Sequence, residues 1–595
     1  MINSNLVLSC EQQDFINHAL QGKNVLVDAC IGSGKTTAIQ RLCDLLPQKK
    51  NILYLTYNKL LKIDAKAKIK NKNVTVQNYH GFAYNTLKDN GITNCGVPQL
   101  IATFNSTFPK IKRYDALIID EYQDVEQELA DMLLYIKSTN PKMQLIAVGD
   151  MDQKIYDKTT LNVKQFIDDF LGEYIKLEFT FCFRLSNDIA STLGRIWNKK
   201  IVGVNNSCKV EFMSENQIVR FLSKQKTEDV LCLGSRNGGL SNVLNRLEGK
   251  YPSLFNKHNV YASIQDQDKQ NLSPNNSCAI FTTFDSSKGL ERKICVVFDF
   301  TESYWDVRIN KPQQSYEILR NIFCVAASRG KNRIIFVKTD EELLAEKTIS
   351  TPPSQSHNFA DVDISSMFDF KFREDIEKTY SLLKITKRED FVYQPINVKD
   401  VDGLIDLSPA IGIYQEAVFF DDYTIERAID LYATLNPDKI IEYTCDKSHL
   451  QQDILKLVSL ETSQNRYLAQ VQTPFVYDDD KTQIIERLSK LFNRKEDIQQ
   501  PCEIEFLSDN GKPIFTAKGL ADVVKNNVVY ELKFVPRLTH EHFLQCACYA
   551  YALKIPKGVL YNTKTNEYYE IEIPNRQEFY NWVMITVSKG VLGKR

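Results

Sequence analysis

The 595-residue sequence lacks an excess of either charge: 74 lysines and arginines face 75 aspartates and glutamates, a net charge of -1. Contact with nucleic acid must therefore come from local basic grooves, not from a global cationic field. No apolar run approaches the ~20 residues that span a bilayer, so no membrane partner is expected. The opening MINSNLVLSCEQQDF has neither the basic region nor the apolar core of a signal peptide. The expectation is a soluble, untargeted protein, cytoplasmic in a bacterial or phage-infected cell, or nuclear or in a viral factory in a eukaryotic or viral setting. There is no internal repeat and no long low-complexity tract. The 14 cysteines contain no CxxC pair, which argues against a structural zinc module, and only Cys546 and Cys548 stand close together. Scattered single thiols in such a chain read as reduced and packed like small hydrophobes.

What is present is ordinary globular composition, 43% hydrophobic and 25% charged, which excludes a wholly disordered or fibrous chain. At ~150 residues per domain, two to four domains are expected. Residues 1–345 alternate short, nearly continuous hydrophobic runs with helical patterns: NVLVDA (24–29), NILYLTY (51–57), ALIIDE (116–121), QLIAVGD (144–150), VLCLGS (230–235), AIFTTF (279–284), ICVVFDF (294–300) and RIIFVK (333–338). Strands of that kind are buried on both faces, as in parallel sheets covered by helices, and this many suggest two α/β sheets. Around 346–395 the composition changes: STPPSQSHNFADVD carries prolines and serines and few large apolar residues, which reads as a linker. A helical stretch (about 416–498) follows. Then comes a meander with turns at Asp509-Asn510-Gly511 and Asn526-Asn527, a helix near 539–553, a hairpin at 558–573 and a closing helix. The expected boundaries are 1–180, 181–345, linker 346–395, and a separate α/β domain at 396–595.

ACIGSGKTT (29–37) follows a strand and opens a helix, the context that makes a glycine-rich stretch a P-loop. Gly32 and Gly34 let backbone amides approach phosphates, Lys35 reaches the β/γ-phosphates, and Thr36, followed by Thr37, offers a hydroxyl to magnesium. ATP or another nucleoside triphosphate is the expected ligand. ALIIDEYQD (116–124) delivers Asp120 and Glu121 at the C-terminal end of a buried strand, where one carboxylate can hold magnesium and the next can act on water.

The order of motifs resembles the UvrD/Rep group of superfamily 1 helicases, nearest in flavour to the F-box-type DNA helicases. The matching stretches are LSCEQ (8–12), the P-loop, LTYNK (55–59), NYHGFA (78–83), DEYQD (120–124), VGDMDQKIY (148–156), FCFRLSNDIA (181–190), TTFDSSKGLE (282–291) and FCVAASRGK (323–331). The resemblance, over roughly residues 6–340, implies two RecA-like domains with ATP between them and 3′→5′ stepping on single-stranded DNA. It implies that Gln12 reads adenine, Phe183 stacks on the base and Glu291 contacts the ribose. Asp120 becomes the magnesium ligand, Glu121 the base for water and Gln153 the γ-phosphate sensor. Arg184 and Arg329 become arginine fingers from the second domain, and Tyr57, Asn58 and His80 line the DNA groove. Two departures stand out: Asp157-Lys158-Thr159 replaces an aromatic-Arg-Gly run, and Asn78 replaces a threonine. The short segment at about 191–275 leaves little room for a large accessory domain, so a protein partner is a further expectation.

Near the C-terminus, GLAD (519–522) and VVYELKFV (528–535) set out Asp522, Glu531 and Lys533. On a strand, Glu531 and Lys533 share a face, and a hairpin can bring Asp522 opposite them. Two carboxylates can hold Mg2+ or Mn2+, and Lys533 can orient a hydrolytic water. The plain alternative is a solvated hairpin face with a Glu–Lys pair. With Gln545 and Tyr549 four apart on the next helix and Gly412-x3-Glu416 upstream, the region 400–575 resembles RecB-type PD-(D/E)XK nucleases. That resemblance implies a restriction-endonuclease-like α/β domain, with Glu416, Asp522 and Glu531 as metal ligands and Gln545 and Tyr549 in support. No cysteine lies beyond Cys548, so no iron–sulfur cluster is expected; His540 and His542 read as helix-start surface residues.

The whole reads as an α/β chain: two RecA-like parallel-sheet P-loop domains followed by a nuclease-like domain, acting on single-stranded and tailed double-stranded DNA with ATP and Mg2+. End processing, recombination, repair and defence are all compatible uses. Two rivals stand beside it: a helicase whose C-terminal domain only holds DNA, and a nucleotide-switch scaffold acting through a partner.

Overall fold

The computed structural model describes residues 7–57, 59–93, 99–236, 238–263, 273–311, 314–353, 361–435, 449–508 and 510–593. The chain forms two compact units, one of Met1–Val210, Arg320–Asn332 and Glu346–Thr351, the other of Glu211–Leu319, Arg333–Ala345 and Pro352–Arg595. No described helix is long and apolar enough to cross a membrane.

The first unit is built on a six-stranded sheet in the order Val74–Asn78, Ile52–Thr56, Ala116–Asp120, Gln144–Gly149, Val25–Ala29, Ile175–Phe179. Every neighbour pair is parallel. Alternate residues feed two cores: Val25 and Val27 pack with Phe15 and Ile39 on one face, while Leu26 packs with Leu117 and Phe170 on the other. Burial on both faces is why these strands read as unbroken apolar runs. All of their C-terminal ends point the same way, and the P-loop, Asp120 and Asp150 sit at that edge.

In the second unit, Val260–Ser263, Ala279–Thr283, Val230–Gly234 and Arg292–Val297 run parallel within a six-stranded sheet completed by Gly330–Lys338 and Lys209–Ser214, whose first residues are counted with the first unit. A third, mixed sheet of seven strands lies in the same unit, in the order Val362–Asp363, Pro513–Lys525, Val528–Lys533, Lys557–Asn562, Glu567–Glu572, Lys384–Lys387, with Asp497–Leu507 also paired to Pro513–Lys525. The expected meander and hairpin are there as antiparallel pairs, and Asn526 and Asn527 both adopt positive φ in their turn. Asp509 of the other expected turn lies outside the described residues. Val528–Lys533 and Lys557–Asn562 are parallel, and the helix His540–Ala552 makes the crossover that such a pair requires.

Two expectations are corrected here. Residues 346–395 are not a linker: Val362–Asp363 pairs with the Pro513–Lys525 strand, Lys384–Lys387 closes the opposite edge against Glu567–Glu572, and the helix Arg373–Tyr380 buries Ile376 in the core beneath. Nor is the region 396–595 the separate domain expected: it belongs to one compact unit with Glu211–Leu319. Arg466, 1% exposed, places its guanidinium 3.2 Å from Glu248, 5% exposed, on the helix Gly239–Lys250. The same guanidinium donates to the Val260 carbonyl at 2.9 Å, and Lys257 donates to Asp402 at 2.8 Å. The second and third sheets are therefore docked through buried charge. Removing one partner of such a pair costs about 3–5 kcal/mol because the other charge is stranded. Glu248→Ala is accordingly expected to lower the thermal midpoint of this unit by several degrees, read by calorimetry; an unchanged midpoint would show that the docking is loose.

Candidate nucleotide site and C-terminal carboxylate site

The P-loop geometry follows from its glycines. Gly32 and Gly34 have φ of 68° and 74°, a region that side chains rarely adopt. A Cβ on Gly32 would also lie 2.7 Å from the Arg184 Cβ, and one on Gly34 would lie 2.8 Å from the Gln12 amide nitrogen. The loop is therefore in close contact with the two segments expected to flank a nucleotide. Gln12 is held there by a capping box with Ser9 and donates to the Ser33 carbonyl at 3.0 Å. Phe183 donates its backbone N–H to the Gly32 carbonyl at 2.9 Å and leaves its ring 44% exposed, open to stacking.

Lys35 opens the helix Lys35–Leu45, with Thr36 and Thr37 half-buried behind it. Its Nζ lies 3.2 Å from Glu121 Oε2. Burial works against its charge, but Glu121, Asp150 and Asp120 outweigh that and hold its pKa above the usual lysine value. Asp120 is pushed up to about 7, by burial first and by Glu121 next, with Lys35 and the Tyr54 hydroxyl opposing. One of its oxygens accepts from Tyr54 at 2.8 Å; the other, Oδ1, is buried and has no hydrogen-bond partner among the described residues. Gln153 donates to Asp150 at 2.7 Å.

Arg184 and Arg329, expected to come from a second domain beginning at 181, both belong to the first unit. The reason is local: the strand Phe181–Cys182 continues past the P-loop, and the Asn205 side-chain amide donates to the Arg184 and Lys331 carbonyls, each at 2.8 Å. Arg329 is 5% exposed, its Nε donating to the Val325 carbonyl at 3.1 Å. Glu291 lies in the second unit, and Asn58 lies outside the described residues. Tyr57 lines a small groove with Gln123, Lys154, Tyr156, Lys158 and Thr159. Lys158 stands 5.2 Å over the Tyr156 ring, so the departed Asp-Lys-Thr run still offers an aromatic face and a cation. His80 is exposed, and Asn78 caps its helix by accepting from Gly81 N–H at 3.3 Å, a task asparagine and threonine share. Sequence reasoning missed Lys199, whose Nζ bridges Asp28 at 2.6 Å and Asp150 at 2.9 Å. A lone lysine after a helix carries no pattern that announces it.

In the third sheet, Val523 pairs with Tyr530, so Asp522 and Glu531 follow on adjacent strands. The Leu532 N–H donates to Asp522 at 2.7 Å, and Lys533 Nζ lies 2.7 Å from Glu531 Oε1. The second Glu531 oxygen is buried with no hydrogen-bond partner among the described residues. Glu416, on the helix Ser408–Ala417, accepts from the Gln499 amide at 2.7 Å. Its pKa is pushed up to about 8, mainly by burial and further by Glu531, while Gln499 and Lys533 oppose. Asp522 is likewise held well above the carboxylate range by burial, Glu531 and Glu416. Gln545 donates to the Tyr549 hydroxyl at 3.1 Å across one helical turn, and a Cβ on Gly519 would meet the Tyr549 ring at 2.7 Å. His540 stacks on Tyr380 at 3.9 Å, and His542 closes the capping box of its helix.

The three-carboxylate metal set is corrected in one respect. Among the described residues no group of three His, Cys, Asp or Glu side chains is arranged to hold a metal ion. The donor chemistry still fits Mg2+, which commonly takes one or two carboxylates and fills its other positions with water and substrate phosphate. The unpartnered oxygens of Asp120 and Glu531 are suited to that use.

The raised Glu416 has a consequence for stability. The folded chain keeps a proton that the unfolded chain releases near pH ~4.3, so stability falls as pH rises from there through about 8. Glu416→Gln is expected to flatten that fall, giving a higher thermal midpoint than wild type at pH 8.5 and little difference at pH 5. Parallel curves across that range would refute the assignment.

Residues 12–159 match the family described as AAA domain. No curated protein matches the chain. Among solved structures it is similar to the Pif1 helicase from Candida albicans, at 12% identity and a TM-score of 0.34, covering 58% of this chain and 97% of that one. It is also similar to the DUF1998 helicase MrfA bound to DNA, at 11% identity and a TM-score of 0.32, covering 56% of this chain. The chain spans about half of MrfA, 48% of its length, and 62% of an arterivirus nonstructural protein 10 helicase matched at 12% identity and a TM-score of 0.27 over 54% of this chain. The AAA match begins at Gln12 beside the P-loop, takes in Lys35, Asp120, Glu121 and Gln153, and ends at Thr159 of the Tyr57 groove.

Proposed function

We propose that the chain is an ATP-driven DNA translocase or helicase of 3′→5′ direction joined to a metal-dependent DNA nuclease. The observation that carries the reading is the pair of buried lysine–carboxylate centres, Lys35 with Glu121 and Asp120, and Lys533 with Glu531 and Asp522. Buried charges persist in such sites when a ligand uses them. In the first centre Lys35 binds the terminal phosphates, Glu121 takes the proton of the attacking water, and Gln153 senses the γ-phosphate. Arg184 and Arg329 neutralise charge on the transferring phosphoryl group. Gln12 and Phe183 hold the base, while Tyr57, Lys158 and His80 meet single-stranded DNA. In the second centre Lys533 orients the water that attacks a phosphodiester. A divalent cation, held by Thr36 and Asp120 in one site and by Asp522 and Glu531 in the other, would supply neutralising charge to phosphate oxygens. The second reading is a C-terminal domain that holds DNA without cutting it.

The test uses end-labelled duplexes with 3′ or 5′ single-stranded tails, with Mg2+ or Mn2+, with and without ATP. Lys35→Ala is expected to abolish unwinding of the 3′-tailed duplex, and Lys533→Ala to abolish cleavage. Unwinding with no Lys533-dependent cleavage would establish the second reading, and ATP hydrolysis indifferent to DNA would overturn the motor.

A further inference from the structure

Beside the C-terminal carboxylates lies a cavity of about 140 Å³ whose lining includes Tyr423, Arg427, Tyr432, Glu461, Gln499 and Leu520. It adjoins the carboxylates through two links. Gln499, in its wall, donates to Glu416 at 2.7 Å, and Leu520 precedes Asp522 by two residues on the same strand. Tyr423 spans the boundary: burial and then Glu416, Glu461 and Asp522 push its hydroxyl well above the usual tyrosine value, so it stands within electrostatic reach of both places.

The lining combines three kinds of chemistry. Tyrosines and aliphatic side chains give apolar surface; Glu461, Gln499, Thr424 and the exposed Asp422 give polar groups; the exposed Arg427 lies on the helix Ile425–Leu435 and donates to the Asp422 carbonyl at 3.4 Å. Glu461 makes no side-chain hydrogen bond or salt bridge with any described residue, and only Arg236 opposes the burial that raises it to about 7. A half-buried carboxyl with no hydrogen-bond or ion-pair partner among the described residues, in a cavity also lined by Tyr423 and Tyr432, suits a flat heterocycle with an exocyclic amino group. Carboxylates accept from exocyclic amines of bases, and aromatic side chains stack on unpaired bases. Arginine near such a pocket suits the phosphate attached to that base.

We propose that this cavity receives one unstacked, amino-bearing base of a single nucleic-acid strand and thereby sets a neighbouring phosphate against Asp522, Glu531 and Lys533. The consequence for cleavage rests on the nuclease reading; base capture does not. A paired base cannot enter without first being unpaired and unstacked, so the pocket selects single strands.

The test uses the full chain in EDTA with an oligothymidylate carrying one internal 2-aminopurine, whose fluorescence rises on unstacking. The wild type is expected to raise it several-fold. Glu461→Leu and Tyr432→Ala are expected to lose most of that rise and Tyr432→Phe to keep it, with DNA-stimulated ATP hydrolysis unchanged in all three as the check on folding. In Mg2+, the wild type is expected to cut oligo(dC) or oligo(dA) at least 10-fold faster than oligo(dT), and Glu461→Leu to lose that preference. Equal fluorescence in wild type and Glu461→Leu would overturn the pocket whether or not the protein cleaves. A Glu461-dependent rise without any cleavage would uphold the pocket and overturn the nuclease.

Discussion

Glu121→Gln is expected to hydrolyse ATP on the order of 10³-fold more slowly than the wild type, with little change in ATP affinity. The expectation rests on where the side chain is held. Glu121 follows the last residue of a buried strand and adopts φ 57°, ψ 50°, a left-handed conformation that a non-glycine residue keeps only when its surroundings enforce it. They do: the turn Tyr122–Asp124 follows at once, the Gln123 amide donates to Glu121, and Lys35 pairs with it. Glutamine has the same shape and can still accept from Gln123 and Lys35, so the phosphate cradle stays intact while the proton acceptor is lost. The measurement is phosphate release under saturating DNA, with nucleotide affinity from a fluorescent ATP analogue. A rate within threefold of wild type would remove Glu121 from the chemistry and leave it as a structural partner of Lys35.

The features legible in the sequence were those with a local pattern. The strand–loop–helix around Lys35 announces itself because a parallel strand, two positive-φ glycines and a helix start must occur together. Asp522, Glu531 and Lys533 could be placed because strand period and a hairpin bring them together. What escaped was non-local or weakly patterned. Lys384–Lys387 is a short, charged edge strand, the form that resists edge-to-edge pairing and leaves no apolar run to read. Val362–Asp363 is two residues long. The Glu248–Arg466 pair joins elements 218 positions apart, and each residue alone looks like a surface charge. Gln499 reaches Glu416 from a strand position with φ 50°, an irregularity no side-chain pattern marks. The misplaced linker has the same origin: Pro352 and Pro353 follow the end of the helix Glu346–Ser350, but nothing in them shows that residues from 362 onward rejoin a sheet.

Asp522→Asn is expected to abolish cleavage, by 10³-fold or more, and with it the stabilisation that Mn2+ gives the C-terminal site. Burial first, and repulsion within the cluster of Asp522, Glu531 and Glu416 second, raise both Asp522 and Glu416, while Lys533 opposes. Such a cluster holds protons that a divalent cation must displace, so metal affinity rises with pH. A ligand at 100 times its Kd stabilises by about 2.7 kcal/mol, enough to move a thermal midpoint by several degrees. In an Asp120→Asn background, which silences the nucleotide-site carboxylate, millimolar Mn2+ without nucleotide is expected to raise the midpoint more at pH 8 than at pH 6. Adding Asp522→Asn should erase that rise while raising the metal-free midpoint, because one buried carboxylate has gone. The two effects have opposite signs, which separates loss of a ligand from loss of the fold: a damaged fold lowers both midpoints. If the double variant keeps its Mn2+ shift and its cleavage, the cation is held elsewhere and Asp522 serves only to fix Leu532 through its 2.7 Å backbone hydrogen bond.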